Sequence, residues 1–484
     1  MTGADVIGRR IFNDDDQRWF AALSGDWNPM HMDAIAARRT QAGAQAIHGV
    51  HGVLWALETL SAIQPLGGFN SLTVKFERFI GLNSPVQLRL VASTATSLRM
   101  ELAVDGSVAT IILLKKAPVS QYVLLDVDNT QIVESGDIAV REHSLEQLIG
   151  LSGSIVEAAG PDAYEAAYPH LSGNIGAVAV GGLATLSRLV GQVSPGLHSI
   201  FQQLTISFKD IGAQTPQAGV RFKNTTVDER FRLVSCTVDS SAIAGMVKSS
   251  CRHPPTVQPS LNAVAALVRP DEFTGAVALI IGGSRGLGEL TAKIVAAGGG
   301  KVILTYAVGK TDAERVQSEL VPAGASCDVL HYDVRGDVDA QLGALTLVPT
   351  HVYYFATPKI FRTGSAIHSV DAHAEFFNYY VNSFYNICDH FNKVKSPLSV
   401  FYPSSVAVAE RPAGMTDYAM AKVAGEILAQ DIDSGMPAVR TFIRRLPRLD
   451  TDQTASLVTV QTEAAIDVLL PMIREFHHAE VKHG

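Results

Sequence analysis

The alternation of apolar and polar residues divides the chain into three segments. In the first segment, residues 1–120, DDDQRWFAALSG (14–25) and VHGVLWALETLSAI (50–63) place apolar residues at helical spacing, and the leading aspartates are typical helix caps. SLTVKFERFI (71–80) and PVQLRLVAS (85–93) then alternate with the period of two that half-buried strands show. The pattern predicts one helix-plus-sheet unit.

The second segment, residues 121–258, repeats this plan. GAVAVGGLATLSRLV (176–190) is again a small and apolar helix, and its Thr185-Leu186-Ser187 corresponds to Thr59-Leu60-Ser61 of the first segment. LTISFKDIGAQTP (204–216) echoes LTVKFERFIGLNSP, because each is an alternating strand followed by a Gly and a polar turn that ends in Pro. We therefore expect two copies of one α+β unit.

The third segment follows a linker, 259–272, which prolines bound and which contains a short predicted helix. AVALIIGG (276–283) is a near-continuous apolar run, as expected for a strand buried on both faces of a parallel sheet. Strand and helix patterns then alternate in the order KVILTYA, TDAERVQSEL, CDVLHYD, HVYYFAT and LSVFYPSS. The pattern predicts an α/β Rossmann domain with a doubly wound parallel sheet over residues 273–484.

Composition narrows the class of partner. A length of 484 residues exceeds what one core usually supports, and a net charge of −8 without long like-sign runs argues against a nucleic-acid surface or a polybasic membrane patch. The four cysteines are far apart without a CxxC pair, so we expect neither a disulfide framework nor a metal site. No apolar run approaches a membrane span, and no signal peptide is recognisable at the N-terminus. We expect a soluble cytoplasmic protein whose partners are small molecules or an acidic carrier.

A glycine-rich turn, IGGSRGLGE, lies where the first strand of the third segment meets a helix. Gly282, Gly286 and Gly288 allow a tight turn and a close backbone approach to a pyrophosphate, whose charge the amide groups and the helix N-terminus stabilise. Ser284, Arg285 and Leu287 complete the predicted loop. A glycine trio alone is a weak signal, but the flanking strand and helix are the context that this motif requires.

Four further residues agree in order and spacing with a catalytic set: Asn382, Ser405, Tyr418 and Lys422. Together with the glycines they resemble the short-chain dehydrogenase/reductase family over residues 273–484. The resemblance implies that Tyr418 exchanges a proton with a carbonyl or alcohol oxygen, which Ser405 also hydrogen-bonds. It implies that Lys422 lowers the pKa of Tyr418 and holds the nicotinamide ribose, and that Asn382 anchors a water that relays protons.

The second strand of this domain suggests which cofactor is bound. It ends without the carboxylate that would accept the ribose hydroxyls of NAD, because Thr311 and Glu314 form a capping-box pattern that makes Asp312 a first-turn helix charge. Arg285 and Lys310 would meet a 2′-phosphate, so the sequence favours NADP, with NAD possible.

The family's remaining cofactor positions are matched in part. Asp333 resembles its adenine-contacting Asp, with Val334 beside it. The family's Asn-Asn-Ala-Gly appears as Tyr354-Phe355-Ala356-Thr357, and its Pro-Gly appears as Pro447-Arg448. We expect Ala356 and Pro447 to contact the cofactor in a divergent but active reductase.

The stretch LSGDWNPMHMD (23–33), followed by His48-Gly49 and an apolar helix, carries the second resemblance. On its own it fits a helix end and an Asn-Pro turn. The whole pattern closely resembles the MaoC-like, R-specific enoyl-CoA hydratases, which have the hotdog fold, over about residues 8–118. The resemblance implies a water held between Asp26 and His31, with Asn28 orienting the pair and the Gly49 N–H polarising a thioester carbonyl.

Residue His48 would either line the entrance or be structural. The second segment reads YPHLSGNIGAVAV at the corresponding place and lacks the Asp-Asn-Pro-His element. We therefore expect a double hotdog with one active half and one degenerate half.

The two resemblances together imply a reaction sequence. An NADPH-dependent reductase would produce an R-3-hydroxyacyl thioester, which the dehydratase would convert to the trans-2-enoyl thioester in fatty acid or polyketide-type biosynthesis. The reverse direction, hydration followed by NAD-dependent oxidation as in β-oxidation, stays open, as does a non-catalytic hotdog that only binds an acyl carrier. The acyl group would be carried by acyl-carrier protein or coenzyme A, and a homo-oligomer could form through the reductase domain.

Overall fold

A computed structural model describes residues 5–40, 42–116, 132–209, 219–343, 345–360, 367–451 and 462–479 of the chain. The chain divides between Pro254 and Pro255 into two compact units, the N-terminal unit and the C-terminal unit. The predicted boundary at 120/121 and the predicted turn at 210–216 lie outside the described residues.

The N-terminal unit is built from strands that pair antiparallel, except Ile132–Val133 with Ser152–Ile155, and from two long apolar helices. Its strands are β1 (Asp5–Ile11), β2 (Ser71–Phe76), β3 (Pro85–Ser93), β4 (Ser97–Val104), β5 (Ser107–Lys115), β6 (Ile132–Val133), β7 (Ser152–Ile155), β8 (Ser199–Phe208), β9 (Val220–Asp228), β10 (Leu233–Asp239) and β11 (Ile243–Cys251). Its helices are α1 (Asp14–Ser24), α2 (Pro29–Met32), α3 (Ala34–Arg38), α4 (Gly49–Ile63), α5 (Leu145–Leu148), α6 (Pro161–Ala167), α7 (Pro169–Ile175) and α8 (Ala177–Arg188), which a π-helical segment, Leu189–Val193, continues.

The strand order shows that the N-terminal unit consists of two similar halves. The sheet has 11 strands in the order β1-β3-β4-β5-β2-β8-β11-β10-β9-β7-β6, so the order in one half mirrors that in the other. The halves join where β2 pairs antiparallel with β8, with Ser71 opposite Ser207. We call residues 5–116 the first half and residues 132–251 the second half. The predicted double hotdog is confirmed.

One apolar core extends through both halves. Alternate residues of the central strands, such as Leu72 and Val74 on β2 and Leu204 and Ile206 on β8, are fully buried. They belong to the same core cluster as the apolar residues of α4 and α8. Because the two halves share a sheet and a core, side chains of one half can reach the loops of the other.

The C-terminal unit alternates strands and helices. Its strands are β12 (Val277–Ile281), β13 (Lys301–Tyr306), β14 (Cys327–His331), β15 (His351–Tyr354), β16 (Leu398–Ser405) and β17 (Val439–Leu446). Its helices are α9 (Leu261–Ala265), α10 (Gly286–Ala297), α11 (Lys310–Leu320), a 3-10 turn (Val321–Ala323), α12 (Val338–Leu342), α13 (Val370–Phe377), a π-helical segment (Asn378–Asn382), α14 (Ser383–Lys393), α15 (Ala407–Glu410), α16 (Thr416–Gly435) and α17 (Ala465–His478).

The six strands of the C-terminal unit are all parallel, in the order β14-β13-β12-β15-β16-β17. This is the doubly wound order in which the chain reverses direction across the sheet between β12 and β15. Ligands of such sheets bind beyond the carboxyl ends of the strands at that point, and the glycine loop after β12 lies there. The predicted Rossmann fold is confirmed.

A helix that crosses a bilayer needs about 20 consecutive apolar residues. Within the described ranges, no single helix is both long and apolar enough to cross a bilayer. One pair of helices bent by 109°, Pro169–Ile175 with Ala177–Val193, meets the length and composition requirement jointly.

Candidate functional site

The first candidate site begins where α1 ends. Gly25 adopts a left-handed conformation at the helix C-cap, and the chain then turns so that Asp26 is almost completely buried. The Asp26 carboxylate accepts a hydrogen bond from Ser187 Oγ at 2.7 Å and one from the Asn28 backbone N–H at 3.2 Å. Burial raises the pKa of Asp26, against the opposing effects of His31, these hydrogen bonds and Arg188. The carboxyl group is therefore a better proton carrier near neutral pH than an exposed aspartate.

The residue Asn28 shapes the turn that follows. Its side-chain oxygen accepts from the Met30 N–H at 2.9 Å and caps the short helix α2, while its amide donates to the Gly191 carbonyl. The sequence predicted that the Asn28 side chain orients Asp26 and His31, but the group of Asn28 that contacts the Asp26 carboxylate is its backbone N–H. Its side chain fixes the loop instead.

The imidazole of His31 has one nitrogen committed to the protein. Its Nδ1 lies 2.8 Å from the Ala46 carbonyl, which can only accept, so Nδ1 carries the proton and Nε2 remains for a substrate. Side-chain ligand atoms of Asp26, His31 and His48 all lie within 4.8 Å of one another. Two hydrogen bonds of about 2.8 Å through one water would span such a distance.

The structure buries His48 completely and thereby removes the predicted entrance role. Its Nε2 lies 3.0 Å from the Asp26 backbone carbonyl, and its ring packs on His31 with centroids 4.1 Å apart. Burial holds the pKa of His48 well below its usual value, so the ring is neutral. His48 positions Asp26 and His31. Nε2 of His48 and Nδ1 of His31 each face a backbone carbonyl oxygen and are therefore occupied by hydrogen bonds within the protein.

The residue Gly49 is the first residue of α4. Among the described residues no acceptor is found for its backbone N–H, as expected at a helix N-terminus. A Cβ at this position would lie 2.8 Å from a ring carbon of Phe76, so only glycine allows this approach. The N–H is therefore available to a developing negative charge.

The second half completes the site with residues that sequence reasoning missed. Besides Ser187, Gln192 accepts from the Trp27 N–H at 3.2 Å. A Cβ on Gly191 would lie 2.4 Å from Oδ1 of Asp26, so the carboxylate fits only because that residue is glycine. The shared Thr-Leu-Ser pattern was the available signal, but the pattern does not reveal which copy faces an acid.

The second candidate site is the glycine loop after β12. Gly282 has φ of +79°, and a Cβ there would lie 3.0 Å from the Ala356 backbone nitrogen. A Cβ on Gly288 would lie 2.3 Å from the Gly282 carbonyl oxygen. The loop is therefore closed by glycines at the start of α10, where Arg285 is the N-cap residue and Ser284 is buried. Leu287 follows in the first turn.

The other predicted cofactor residues surround the carboxyl ends of the strands. Lys310 begins α11 and is 3.6 Å from Glu314. The predicted capping box of Thr311 and Glu314 is wrong, because the N-cap is Gly309 and no side chain caps the helix. Asp312 does lie in the first turn, where it is buried.

Three further predicted positions follow the strands. Asp333 is bound through both carboxylate oxygens by Arg335, which holds its pKa below the usual value. Val334 beside it is buried. Pro447 comes directly after Leu446, which pairs with Ser405 across β17 and β16.

The predicted catalytic residues Tyr418, Lys422 and Ser405 come together. Ser405 ends β16, and its hydroxyl lies beside Tyr418, which is in the first turn of α16. Burial raises the pKa of Tyr418 to about 12. The predicted lowering by Lys422 is wrong for this arrangement, because the Lys422 ammonium donates to the Pro403 carbonyl at 2.7 Å and lies 5.9 Å from the Tyr418 ring centroid.

The fourth predicted residue, Asn382, does not join this group. Its side chain is exposed, and no hydrogen bond to it is found among the described residues. The buried residue on this segment is Tyr380, whose ring centroid is 3.8 Å from Nζ of Lys422.

A separate cluster lies beside Tyr418. His368, His373 and Asp417 place ligand atoms within 4.8 Å of one another. Asp417 already accepts hydrogen bonds from His368 and from the Ser369 N–H. It therefore ties the start of α13 to the start of α16.

Comparison with known proteins identifies the first domain. The family described as MaoC like domain matches residues 6–111, which therefore form a MaoC-like dehydratase domain. No curated protein shows significant similarity to the chain.

Among solved structures, the chain is similar to a short-chain dehydrogenase/reductase from Serratia marcescens (22% identity, 38% of this chain and 78% of that chain, TM-score 0.35). A gluconate 5-dehydrogenase from Burkholderia cenocepacia in complex with NADP and tartrate shows 18% identity over 38% of this chain and 76% of that chain, with a TM-score of 0.34. FolM alternative dihydrofolate reductase 1 from Brucella canis, complexed with NADP, shows 14% identity over 36% of this chain and 73% of that chain, with a TM-score of 0.32.

Proposed function

We propose that this chain is a bifunctional acyl-thioester enzyme. Its C-terminal unit reduces a 3-oxoacyl thioester to the R-3-hydroxyacyl thioester with NADPH, and its N-terminal unit dehydrates that product to the trans-2-enoyl thioester. The observation that carries the proposal is the buried Asp26 carboxyl within 4.8 Å of the His31 imidazole in a MaoC-like domain.

The dehydration requires one proton to leave the α-carbon and one to reach the departing hydroxyl. His31 Nε2 is free to take the first, because Nδ1 is fixed by Ala46. Asp26, with a pKa raised by burial, supplies the second, and the C3–O bond breaks as the double bond forms. In the reverse direction Asp26 takes a proton from water while His31 returns one to the α-carbon.

The negative charge that develops on the thioester oxygen needs a donor. The Gly49 N–H at the N-terminus of α4 has no acceptor among the described residues and adds the favourable end of the helix dipole. Removal of one such donor typically costs about 100-fold or more in rate.

The reductase reaction requires a nicotinamide cofactor, which would supply the hydride when bound. The glycine loop fits its pyrophosphate, because the backbone at Gly282 and Gly288 leaves no room for a Cβ. Tyr418 then gives its hydroxyl proton to the substrate oxygen, and Ser405 holds the same oxygen through its own hydroxyl.

The choice of NADP rests on charge. No carboxylate ends β13, whose last residues are Thr305 and Tyr306, while Lys310 lies at the N-terminus of α11 and would meet a 2′-phosphate. The acyl group would be carried by coenzyme A or by acyl-carrier protein. Both thioesters are substrates to test, because their reactive end is the same.

The decisive experiment follows the coupled reaction in one cuvette. The protein is incubated with an acetoacetyl thioester of coenzyme A or of acyl-carrier protein, with NADPH or NADH. We expect NADPH oxidation and then the ultraviolet absorbance of an enoyl thioester. NADPH oxidation without enoyl product would contradict the coupled reaction.

Two variants separate the units. Tyr418→Phe should block NADPH oxidation while the protein still dehydrates a supplied R-3-hydroxybutyryl thioester, and Asp26→Asn should do the opposite. A hotdog that only binds a carrier predicts that Asp26→Asn changes neither rate.

A further inference from the structure

The Lys422 side chain is buried in the C-terminal unit, and its ammonium has few polar partners. Nζ donates to the Pro403 carbonyl at 2.7 Å. The carboxylate one turn further along the same helix, Glu426, is held by Arg445 at 2.8 and 2.7 Å and also accepts from Ser404. A buried ammonium in this position needs another source of stabilisation to remain charged.

That source is an aromatic ring. Nζ lies 3.8 Å from the ring centroid of Tyr380, compared with 5.2 Å for Tyr402 and 5.9 Å for Tyr418. The face of an aromatic ring attracts a cation at such distances, most strongly when both are buried. Tyr380 is the closest of the three and is fully buried.

The Tyr380 ring is held in place on several sides. Its hydroxyl hydrogen-bonds Thr357, its ring stacks on Phe376 with centroids 6.0 Å apart, and it meets Tyr418 edge-on at 5.7 Å. The ring therefore contacts Tyr418, the proposed proton donor, and Lys422, which by the family resemblance would hold the nicotinamide ribose.

We propose that Tyr380 is a positioning residue of the reductase, whose ring face keeps the Lys422 ammonium charged and directed beside Tyr418. The inference rests on the proposed reduction by the C-terminal unit. It gives Lys422 an aromatic support, which is distinct from the proton-relaying water that the family resemblance implied for Asn382, whose side chain is exposed.

The charge on Lys422 is sensitive to this support. Burial lowers the pKa of Lys422 to about 7, with Glu426 opposing the shift, and the tyrosines 380, 402 and 418 are the other titratable groups that face it. The ring stabilises the charged form. Removal of the ring should lower the pKa of Lys422 further, so that the ammonium loses its proton at a lower pH. The basic limb of the pH–activity profile should then move to lower pH.

The experiment compares ring variants by the pH dependence of kcat and KM for acetoacetyl-thioester reduction. Tyr380→Phe retains the ring and should stay within about threefold of the parent. Tyr380→Leu should lower kcat about tenfold or more and move the basic limb down by about one pH unit. Tyr385→Leu, the same change at an exposed position of α14, should have no effect and is the matched control.

Two further measurements keep the test decisive. Polyfluorinated phenylalanine at position 380 keeps the ring shape but weakens the negative ring face, so it should behave like the leucine variant even if that variant folds poorly. NMR titration of 13C-labelled lysine, with the Lys422 signal assigned by Lys422→Met, reads the Lys422 pKa without any turnover.

The outcomes separate the two proposals. A protein that reduces no 3-oxoacyl thioester contradicts the proposed function, while a lowered Lys422 pKa in the fluorinated variant would still support the ring. If the Lys422 titration and the activity profile are unchanged in the leucine and fluorinated variants, the role of Tyr380 is overturned. Loss of activity in Asn382→Ala alone would return the role to Asn382.

Discussion

The two halves of the N-terminal unit have the same strand order and the same kind of central helix, but the Asp-Asn-Pro-His element occurs in the first half and not at the corresponding place in the second. Between α1 and α4 the first half has the buried Asp26 and His31, whereas the second half has α6 and α7, with the exposed His170. The second half still takes part in the site, because its Ser187 and Gly191 contact the Asp26 carboxylate. The candidate site of the first half is therefore completed by residues of the second half.

Two corresponding serines, Ser61 on α4 and Ser187 on α8, also differ between the halves. Ser187 Oγ donates to Asp26, while the hydroxyl of Ser61, its counterpart on α4, is buried without a hydrogen-bond partner among the described residues. Equivalent serines on equivalent helices therefore differ: the hydroxyl has a hydrogen-bond partner in the second half and none among the described residues in the first. The difference lies in the loop opposite each serine.

The largest expected effect is the loss of the acid. Asp26→Asn removes the ionisable group and should lower the dehydration rate of R-3-hydroxybutyryl thioester about 1000-fold, within the range of general acid-base catalysis. His170→Ala, the corresponding change in the second half, should leave the rate unchanged. Equal losses in both variants would mean that the halves are catalytically equivalent.

The next effect tests the contact between the halves. Gly191→Ala places a Cβ 2.4 Å from Asp26 Oδ1, so the carboxylate must move, and we expect dehydration to fall by about 10- to 100-fold. Gly173→Ala is the control, because a Cβ there meets nothing within 4 Å. Steady-state kinetics should show the loss mainly in kcat. An unchanged rate in Gly191→Ala would mean that the close contact between Gly191 and the Asp26 carboxylate is irrelevant to catalysis.

The paired serines give a smaller and more specific effect. Ser187→Ala removes a hydrogen bond that favours the charged carboxylate, so the pKa of Asp26 rises and the limb of the hydration pH profile that requires ionised Asp26 moves to higher pH. We expect a shift of about one unit and a rate loss of about tenfold. Ser61→Ala should change neither, and a shift in both variants would show that the serines act only through folding.

The smallest effect concerns stability. Because burial raises the pKa of Asp26 in the folded state, its charge opposes folding at neutral pH, and this cost disappears as the pH falls through the folded pKa. Asp26→Asn should therefore stabilise the N-terminal unit by about 1 kcal/mol at pH 7 and by less at pH 4. Urea denaturation at the two pH values measures the difference, and a destabilised variant at pH 7 would contradict it.

Several site residues could be predicted from the sequence because their chemistry requires close spacing along the chain. Asp26 and His31 lie on one turn, and the glycines of the loop after β12 are constrained by their own backbone. Ser187 and Gly191 could not be predicted in this way. They lie more than 160 residues from Asp26 and reach it only through the shared sheet and core.

The two π-helical segments explain the remaining misses. Each adds a residue to a helical turn, so the face that a residue occupies no longer follows from a period of 3.6. Leu189–Val193 contains Gly191 beside Asp26, and Asn378–Asn382 contains both the buried Tyr380 and the exposed Asn382. Both proposed sites therefore depend on helical turns that periodicity does not predict.

The sequence by itself determined the two kinds of fold, the Asp26–His31 pair and the Tyr418–Lys422 pair, because local spacing and strand periodicity are properties of neighbouring residues. Only the tertiary structure brought Ser187 and Gly191 of the second half against Asp26, and the Tyr380 ring against Lys422. These contacts depend on which faces are packed together, and packing depends on the sheet pairing and helix irregularities of the whole unit.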